Sequence, residues 1–141
     1  MDITHVQLLS VPVTDQDRAR DFYVGTLGLA LLADTPMGPE DGGPAGRWVQ
    51  VGPRGAASGT SLTLVNWFET MPAGSLRGLV LQTSDIDGDI DRLRQAGVEV
   101  DGPHDAPWGR HGLLSDPDGN GIVLAGPPPL PPTLPPGQPA A

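Results

Sequence analysis

Apolar residues recur along this chain with two alternating periods, and the order of alternation itself repeats. Residues 4–13 (THVQLLSVPV) are rich in Val and Leu, as a largely buried strand would be. Pro12 suits an edge or a bulge near the end of that strand. The next stretch, VTDQDRARDFYVGTLG, spaces Ala19, Phe22, Tyr23 and Leu27 at helical intervals. Thr14 or Asp15 stands where an N-cap belongs, and Asp17 lies in the first turn, where the helix dipole favours negative charge. Gly28 then occupies the C′ position that ends a helix. LALLAD (29–34) reads as a short second strand, RWVQVGP (47–53) as an alternating third and TSLTLVNW (60–67) as a fourth. Between them, residues 35–46 hold three Pro and four Gly and read as a mobile loop.

The second half repeats this order after a connection at 68–75. A strand at 76–83 leads into TSDIDGDIDRLRQAG, where Asp85 opens a helix, Ile86, Ile90 and Leu93 form its apolar stripe and Gly97 closes it. A short strand at 98–101 and an irregular stretch at 102–110 follow. The half ends with a strand near 111–115, the turn DPDGN (116–120) and a last strand, GIVLA (121–125). Two βαβββ modules, at about 4–67 and 76–125, therefore make one α+β domain over 1–126. Residues 127–141 carry eight prolines and are expected to be polyproline II or disordered. Their PxxP spacings resemble ligands of aromatic grooves, and a plain unstructured tail explains them as well.

Composition narrows the function classes. The net charge is −9, with eight basic against seventeen acidic residues, so the clustered cations that bind a phosphate backbone are missing. The field would favour a cationic ligand, although solubility alone accounts for it. There is no cysteine, which excludes disulfides, thiol nucleophiles and zinc–thiolate sites. No apolar run approaches the roughly 18 residues of a membrane span, and the start MDITHVQL lacks signal-peptide features. The expectation is a cytoplasmic protein that binds neither nucleic acid nor membrane.

The doubled βαβββ order, the V-x-D-x₃-A-x₂-FY-x₃-LG pattern from Val13 to Gly28, and the set Asp85, Leu93, Gly97, Trp108, Gly109 and Asp116–Asn120 resemble the vicinal oxygen chelate superfamily. That group includes glyoxalase I, extradiol dioxygenases, fosfomycin-resistance enzymes and bleomycin-resistance binding proteins. The resemblance covers residues 4–125 and implies two modules whose sheets curl into a cupped, open-barrel mixed sheet with helices outside. It also implies a homodimer, which would bury the strand carrying Pro12 and the uncovered sheet ends. In metal-dependent members four inward side chains, usually His or Glu, hold a divalent ion. The corresponding positions here are Leu8, Thr63, Gly78 and Val123. These offer at most one weak hydroxyl, against the three or so imidazole or carboxylate ligands a catalytic ion needs. No metal and no cofactor are therefore expected.

Other lookalikes fail for stated reasons. His5 lies three residues before Leu8, on the opposite strand face by period-two alternation. His104 and His111 flank a Pro/Gly loop, with Asp105 nearby, and read as loop histidines; joined by His5 they form the one cryptic metal alternative. Asp116, Asp118, Asn120 and Gly121 match the start of an EF-hand loop, but Pro127 stands where its bidentate Glu belongs. Asp85, Asp87, Asp89 and Asp91 read as a solvated helix face. Gly42-Gly43 has no following Lys, which excludes a phosphate loop.

Strand parity assigns the cup interior instead. Leu8 and Ser10, Trp48 and Gln50, Ser61, Thr63, Val65 and Trp67, then Gly78, Val80, Gln82, Gly121, Val123 and Ala125 point inward. Leu9, Val11, Leu79 and Leu81 face the helices. The expected ligand contacts are Leu8, Ser10, Trp48, Gln50, Thr63, Trp67, Gln82 and Val123: indoles, carboxamides, hydroxyls and small apolar groups. Such a lining suits a planar or amphipathic organic molecule. The leading expectation is a metal-free, bleomycin-resistance-like binder that sequesters a small molecule. The alternatives are a glyoxalase-like lyase or isomerase with a non-standard metal site, and an interaction module recruiting a partner through the Pro-rich tail.

Overall fold

In the computed structural model the described residues are 1–37, 46–55 and 59–127. The Pro-rich tail and most of the expected loop before Gly46 lie outside them. The chain forms β1 (Leu8–Pro12), α1 (Gln16–Arg20), β2 (Ala30–Met37), β3 (Gly46–Gly52) and β4 (Ser61–Val65). The second half forms β5 (Leu79–Gln82), α2 (Ile86–Gln95), β6 (Asp101–Ala106), β7 (Gly109–Ser115) and β8 (Gly121–Ala125). Each half is a four-stranded mixed sheet, ordered β1-β4-β3-β2 and β5-β8-β7-β6. In each sheet the first strand runs parallel to the last and the other neighbours are antiparallel. The α+β repeat is as the sequence implies, with two open mixed sheets, one from each half.

Both helices start and stop at the expected residues. The Asp15 carboxylate accepts from the backbone N–H of Asp17 and Arg18, and the Asp85 carboxylate from Gly88 N–H, replacing partners that a first turn lacks. Gly28 and Gly97 follow the helices with φ of 80° and 86°, a left-handed geometry that glycine adopts without a Cβ clash. One feature departs from the periodicity. After Arg20, α1 widens into a π-helical segment, Asp21–Thr26. An ordinary helix turns adjacent side chains about 100° apart. The wider segment accompanies burial of both neighbours, Phe22 and Tyr23, whose rings meet edge to face at 5.3 Å. The helix-facing core is then Val11, Val49, Val51, Leu62 and Leu64 under α1, with Ile90, Leu93, Leu114, Ile122 and Leu124 in the second half.

Strand limits differ from expectation where proline or glycine misleads. Residues 35–37, assigned to the loop, extend β2 and pair with Trp48, Arg47 and Gly46. Pro36 is tolerated because β2 is an edge strand, where a missing N–H removes no ladder bond. The same holds for Pro103 in β6, so 102–106 is strand rather than irregular, and the strand expected at 98–101 begins only at Asp101. β1 starts at Leu8, not residue 4, and β5 at Leu79, not 76. Gly78 consequently precedes its strand, with φ of 86°. Leu9 is 43% exposed rather than packed under the helix, because β1 is also an edge.

The two modules are joined by the DPDGN turn. Asp116 Oδ2 accepts from the Tyr23 hydroxyl at 2.9 Å and from Asn120 Nδ2 at 2.7 Å. Asp116 Oδ1 accepts from the backbone N–H of Asp118 and Asn120, each at 2.9 Å. The fully buried Asn120 also donates to the Pro12 carbonyl at 2.8 Å and accepts from Leu76 N–H at 3.0 Å. Asp118 completes the seam, receiving Thr14 and Arg18 at 2.6 and 3.0 Å. Burial, reinforced by the Asp116 charge, pushes the Tyr23 phenol far above its ordinary range and keeps it a donor. Tyr23→Phe should lower unfolding free energy by about 1–3 kcal/mol, since a buried carboxylate loses a donor while the ring packing remains. Urea denaturation checks this, and a loss below about 0.5 kcal/mol would show that the seam does not depend on that bond.

Candidate functional site

Cross-strand register sorts the face of each sheet opposite its helix into rows. On the first sheet, Ser10, Thr63 and Gln50 stand side by side on β1, β4 and β3. Pro12, Val65, Trp48 and Thr35 form the row on one side, and Leu8, Ser61 and Gly52 that on the other. The face is wired by side chains. Trp48 Nε1 donates to Gln50 Oε1 at 3.1 Å, Gln50 Nε2 donates to Ser61 Oγ at 2.8 Å, and Ser61 Oγ donates to the Gln7 carbonyl at 3.2 Å. Thr63 Oγ1 is buried without a hydrogen-bond partner among the described residues.

Charge is kept to the other side of this sheet. Arg47 reaches Asp17 at 2.6 Å and Asp34 at 2.8 Å, and Arg20 also reaches Asp34 at 3.0 Å. The hydrogen bond from Arg47 holds the Asp17 carboxyl below its usual range. Gln16, buried beside them, donates to the carbonyls of Arg47 and Leu64. Arg47 is spent on this helix-side network, so the rows around Gln50 carry no ionic group.

The second sheet repeats the arrangement with different chemistry. Val80, Val123, Leu113 and Asp101 align as the middle row, and Gln82, Ala125, His111 and His104 as the next. An open trough of about 900 Å³ lies at the Ser115–Gly121 end of this sheet, lined by Leu113, Gly121 and Val123 with Arg77, Glu99 and Phe22, and it does not extend to His111 or Trp108. Val80 and Leu113 are 55% and 41% exposed.

The residues expected to line one cup therefore fall on two separate faces. Leu8, Ser10, Trp48, Gln50 and Thr63 share the first. Trp67 lies just past β4, with Cε3 3.5 Å from where a Cβ on Gly46 would stand, at the Trp48 end of the same sheet. Gln82 and Val123 belong to the second sheet, and Gln82 is exposed.

His104 and His111 are not loop residues: they oppose each other on β6 and β7, with ring centroids 5.6 Å apart. The His104 partner is Asp101, at 2.9 Å, whereas Asp105 pairs with Arg110. Trp108, absent from the expected contacts, lies over His111 with centroids 4.1 Å apart and planes 31° apart. In the repeat Arg47-Trp48 on β3 corresponds to Arg110-His111 on β7, which makes His111 the counterpart of Trp48. His5 is exposed ahead of β1, where it meets Thr4. The acidic run on α2 is only partly a free surface, since Asp85 caps the helix, Asp87 pairs with Arg110 and Asp89 with Arg92.

The four positions that the family resemblance assigns to a metal do not fit one. Leu8 and Val123 have no donor, Gly78 has no side chain, and Thr63 offers one buried hydroxyl. No three His, Cys, Asp or Glu side chains come together as a metal site among the described residues. Nor, among them, is any helix long and apolar enough to cross a membrane.

Comparison with known proteins agrees with this geometry. The family model described as Glyoxalase/Bleomycin resistance protein/Dioxygenase superfamily matches residues 2–124. TnmS3, an antibiotic binding protein from Streptomyces sp. CB03234, has a crystal structure that is 58% identical, with a TM-score of 0.81 over 90% of this chain and 98% of that one. A superfamily member from Sphaerobacter thermophilus DSM 20745 is 35% identical, with a TM-score of 0.77 over 89% of this chain and 98% of that one. The protein YetH of Bacillus subtilis (strain 168) is 32% identical over 86% of this chain and 98% of its own length.

Proposed function

This chain belongs to the glyoxalase/bleomycin resistance protein/dioxygenase superfamily, and from that premise we propose that it is a metal-free binder of a small, planar organic molecule, sequestering it in the cytoplasm. One observation carries the reading: aromatic and small apolar side chains occupy the faces where a metal-dependent relative would hold its ligands. Trp48 offers an indole face whose N–H is already committed to Gln50. On the other sheet, His111 and Trp108 offer a second aromatic surface beside Val80, Val123 and Leu113. Leu8, Ser10, Thr63 and Gln82 supply the remaining expected contacts. The similarity to an antibiotic binding protein supports the same class of ligand, and with it resistance by sequestration. A lyase or isomerase would require a placed acid, base or metal; the first sheet's face supplies none, and on the second His104 is tied to Asp101 while Trp108 lies over His111.

The ligand site in this proposal is completed by a second copy. Val80, Leu113 and Trp108 are 55%, 41% and 53% exposed, an apolar exposure that a second sheet face would cover. β1 and β5 also leave one sheet edge each unpaired among the described residues. Light scattering at micromolar concentration should give twice the 14.6 kDa chain mass. A monomer would force the ligand onto a single open face.

Elemental analysis after purification without chelator should find no stoichiometric divalent metal. One equivalent of Zn, Ni, Fe or Mn retained through dialysis would restore the enzymatic alternative. The binding reading itself is tested at Trp48. Aromatic stacking contributes about 0.5–1.5 kcal/mol beyond burial, so Trp48→Ala should weaken binding of planar antibiotics several-fold in fluorescence-quenching titrations. The fold should survive, because Val49 and Val51 keep the helix side of β3 intact. If Trp48 were instead pure core, the substitution would cost about 3–5 kcal/mol of stability and no compound would quench.

A further inference from the structure

We propose that the Pro-rich tail of this chain docks on its own Trp108, residues 128–134 crossing the exposed indole face as a polyproline II segment and walling the His111 end of the second open face. The occupant is residues 128–141, which lie outside the described ones, and the inference does not depend on what ligand the faces bind. The family model ends at residue 124, and TnmS3 is matched over 98% of its own length by only 90% of this chain, so the tail is an addition to the family fold.

The repeat shows where the tail starts. Continuing the register of β3 and β4 beyond Val49 and Leu64 sets Trp67 against Gly46, and Trp67 is found there, its Cε3 3.5 Å from where a Cβ on Gly46 would stand. The same continuation of β7 and β8 beyond His111 and Ala125 sets Pro127 against Gly109. The Gly126 N–H, donating to the Arg110 carbonyl at 2.8 Å, carries the ladder that far. A Cβ on Gly126 would meet Ile86 of α2 at 3.7 Å, so by alternation Pro127 projects on the opposite side, the side of His111. Pro127 is exposed and stands beside Gly109, one residue from Trp108. Proline carries no N–H, so Pro127, Pro128 and Pro129 end the ladder and the chain leaves the sheet at that point.

Trp108 offers what such a segment binds. One face of its ring lies over His111, with centroids 4.1 Å apart, yet the residue is 53% exposed. It stands outside the trough, which ends short of it. Polyproline II repeats every three residues, so Pro128, Pro131 and Leu134 form one apolar ridge and Pro129, Pro132 and Pro135 another. Proline rings on such a ridge pack against aromatic faces, and the conformation is set before binding, which keeps the ordering cost low. At about 3.1 Å per residue, 128–134 reach about 20 Å, enough to cross an indole and the two strands of the β6–β7 hairpin. Residues 128–141 carry no charge, so the net charge of −9 does not repel them. Val80 and Leu113 stand in the neighbouring row and stay open to a second copy.

The full-length chain has no cysteine, so Thr133→Cys takes a single nitroxide label, on the third edge of the segment rather than on either ridge. The electron paramagnetic resonance line shape of that label reads the motion of the tail. Docking should slow the label about three-fold or more relative to the same label in Trp108→Ala. A second variant leaves the indole in place: replacing Pro128, Pro129, Pro131 and Pro132 by Ser keeps the length and should release the label as Trp108→Ala does. Equal mobility in all three proteins would overturn the proposal, because the tail would then have no partner. A label slowed equally with and without Trp108 would overturn it too, by placing the tail on another surface. Labelled Trp108→Ala chains are also mixed with an excess of unlabelled chains that keep Trp108. Slowing of the label in that mixture would mean that the tail binds a second copy, and docking within one chain would fall.

Discussion

The buried carboxylate of Asp116 is the constraint on which the arrangement of the two halves depends. A charge in this position is tolerable only if hydrogen bonds replace its hydration, and Asp116 accepts four, two from backbone N–H groups and one each from Tyr23 and Asn120. Those donors come from different modules, so satisfying one carboxylate fixes the packing of α1 against the turn before β8. Asn120 extends the tie to the Pro12 carbonyl at the end of β1. The backbone closes in behind it: a Cβ on Gly74 would lie 2.2 Å from the Asp118 carbonyl oxygen, and its φ of 83° also requires glycine. What a local reading takes for a hairpin turn is also the joint of the molecule.

This joint explains which parts of the structure were legible in the sequence. Asp15 and Asp85 opened their helices, Gly28 and Gly97 closed them, and the repeat of βαβββ order followed from local signals alone. The strand limits failed where Pro36 and Pro103 suggested loop, because proline is compatible with an edge and edge status is a property of the whole sheet. Parity correctly grouped Ser10, Trp48, Gln50 and Thr63, since a period of two is a local fact. It could not say how Gln82 and Val123, on the second sheet, stand relative to that face, because the relation between sheets is set by contacts such as that of Tyr23 with Asp116, 93 residues apart. Trp108 escaped for a related reason. It sits in the turn between β6 and β7, and its value lies in what it covers, His111, which only the pairing of those strands reveals.

Two copies of one unit have kept their frame and changed their faces. The middle row of the first sheet is Ser10, Thr63 and Gln50; that of the second is Val80, Val123 and Leu113, ending in Asp101. Next to each middle row stands an aromatic residue, Trp48 in one and His111 in the other. The frame is conservative because each sheet must bury its helix-facing side, where Val49, Val51, Leu62 and Leu64 answer to Leu114, Ile122 and Leu124. The opposite faces are under no such demand, and their polarity is free to diverge. The two open faces thus differ in kind, hydroxyls and a carboxamide around Thr63 and Gln50 on one, mainly apolar and aromatic groups around Val123 and His111 on the other. Duplication supplies the frame of both halves, and the loss of symmetry between the copies gives their open faces unlike chemistry.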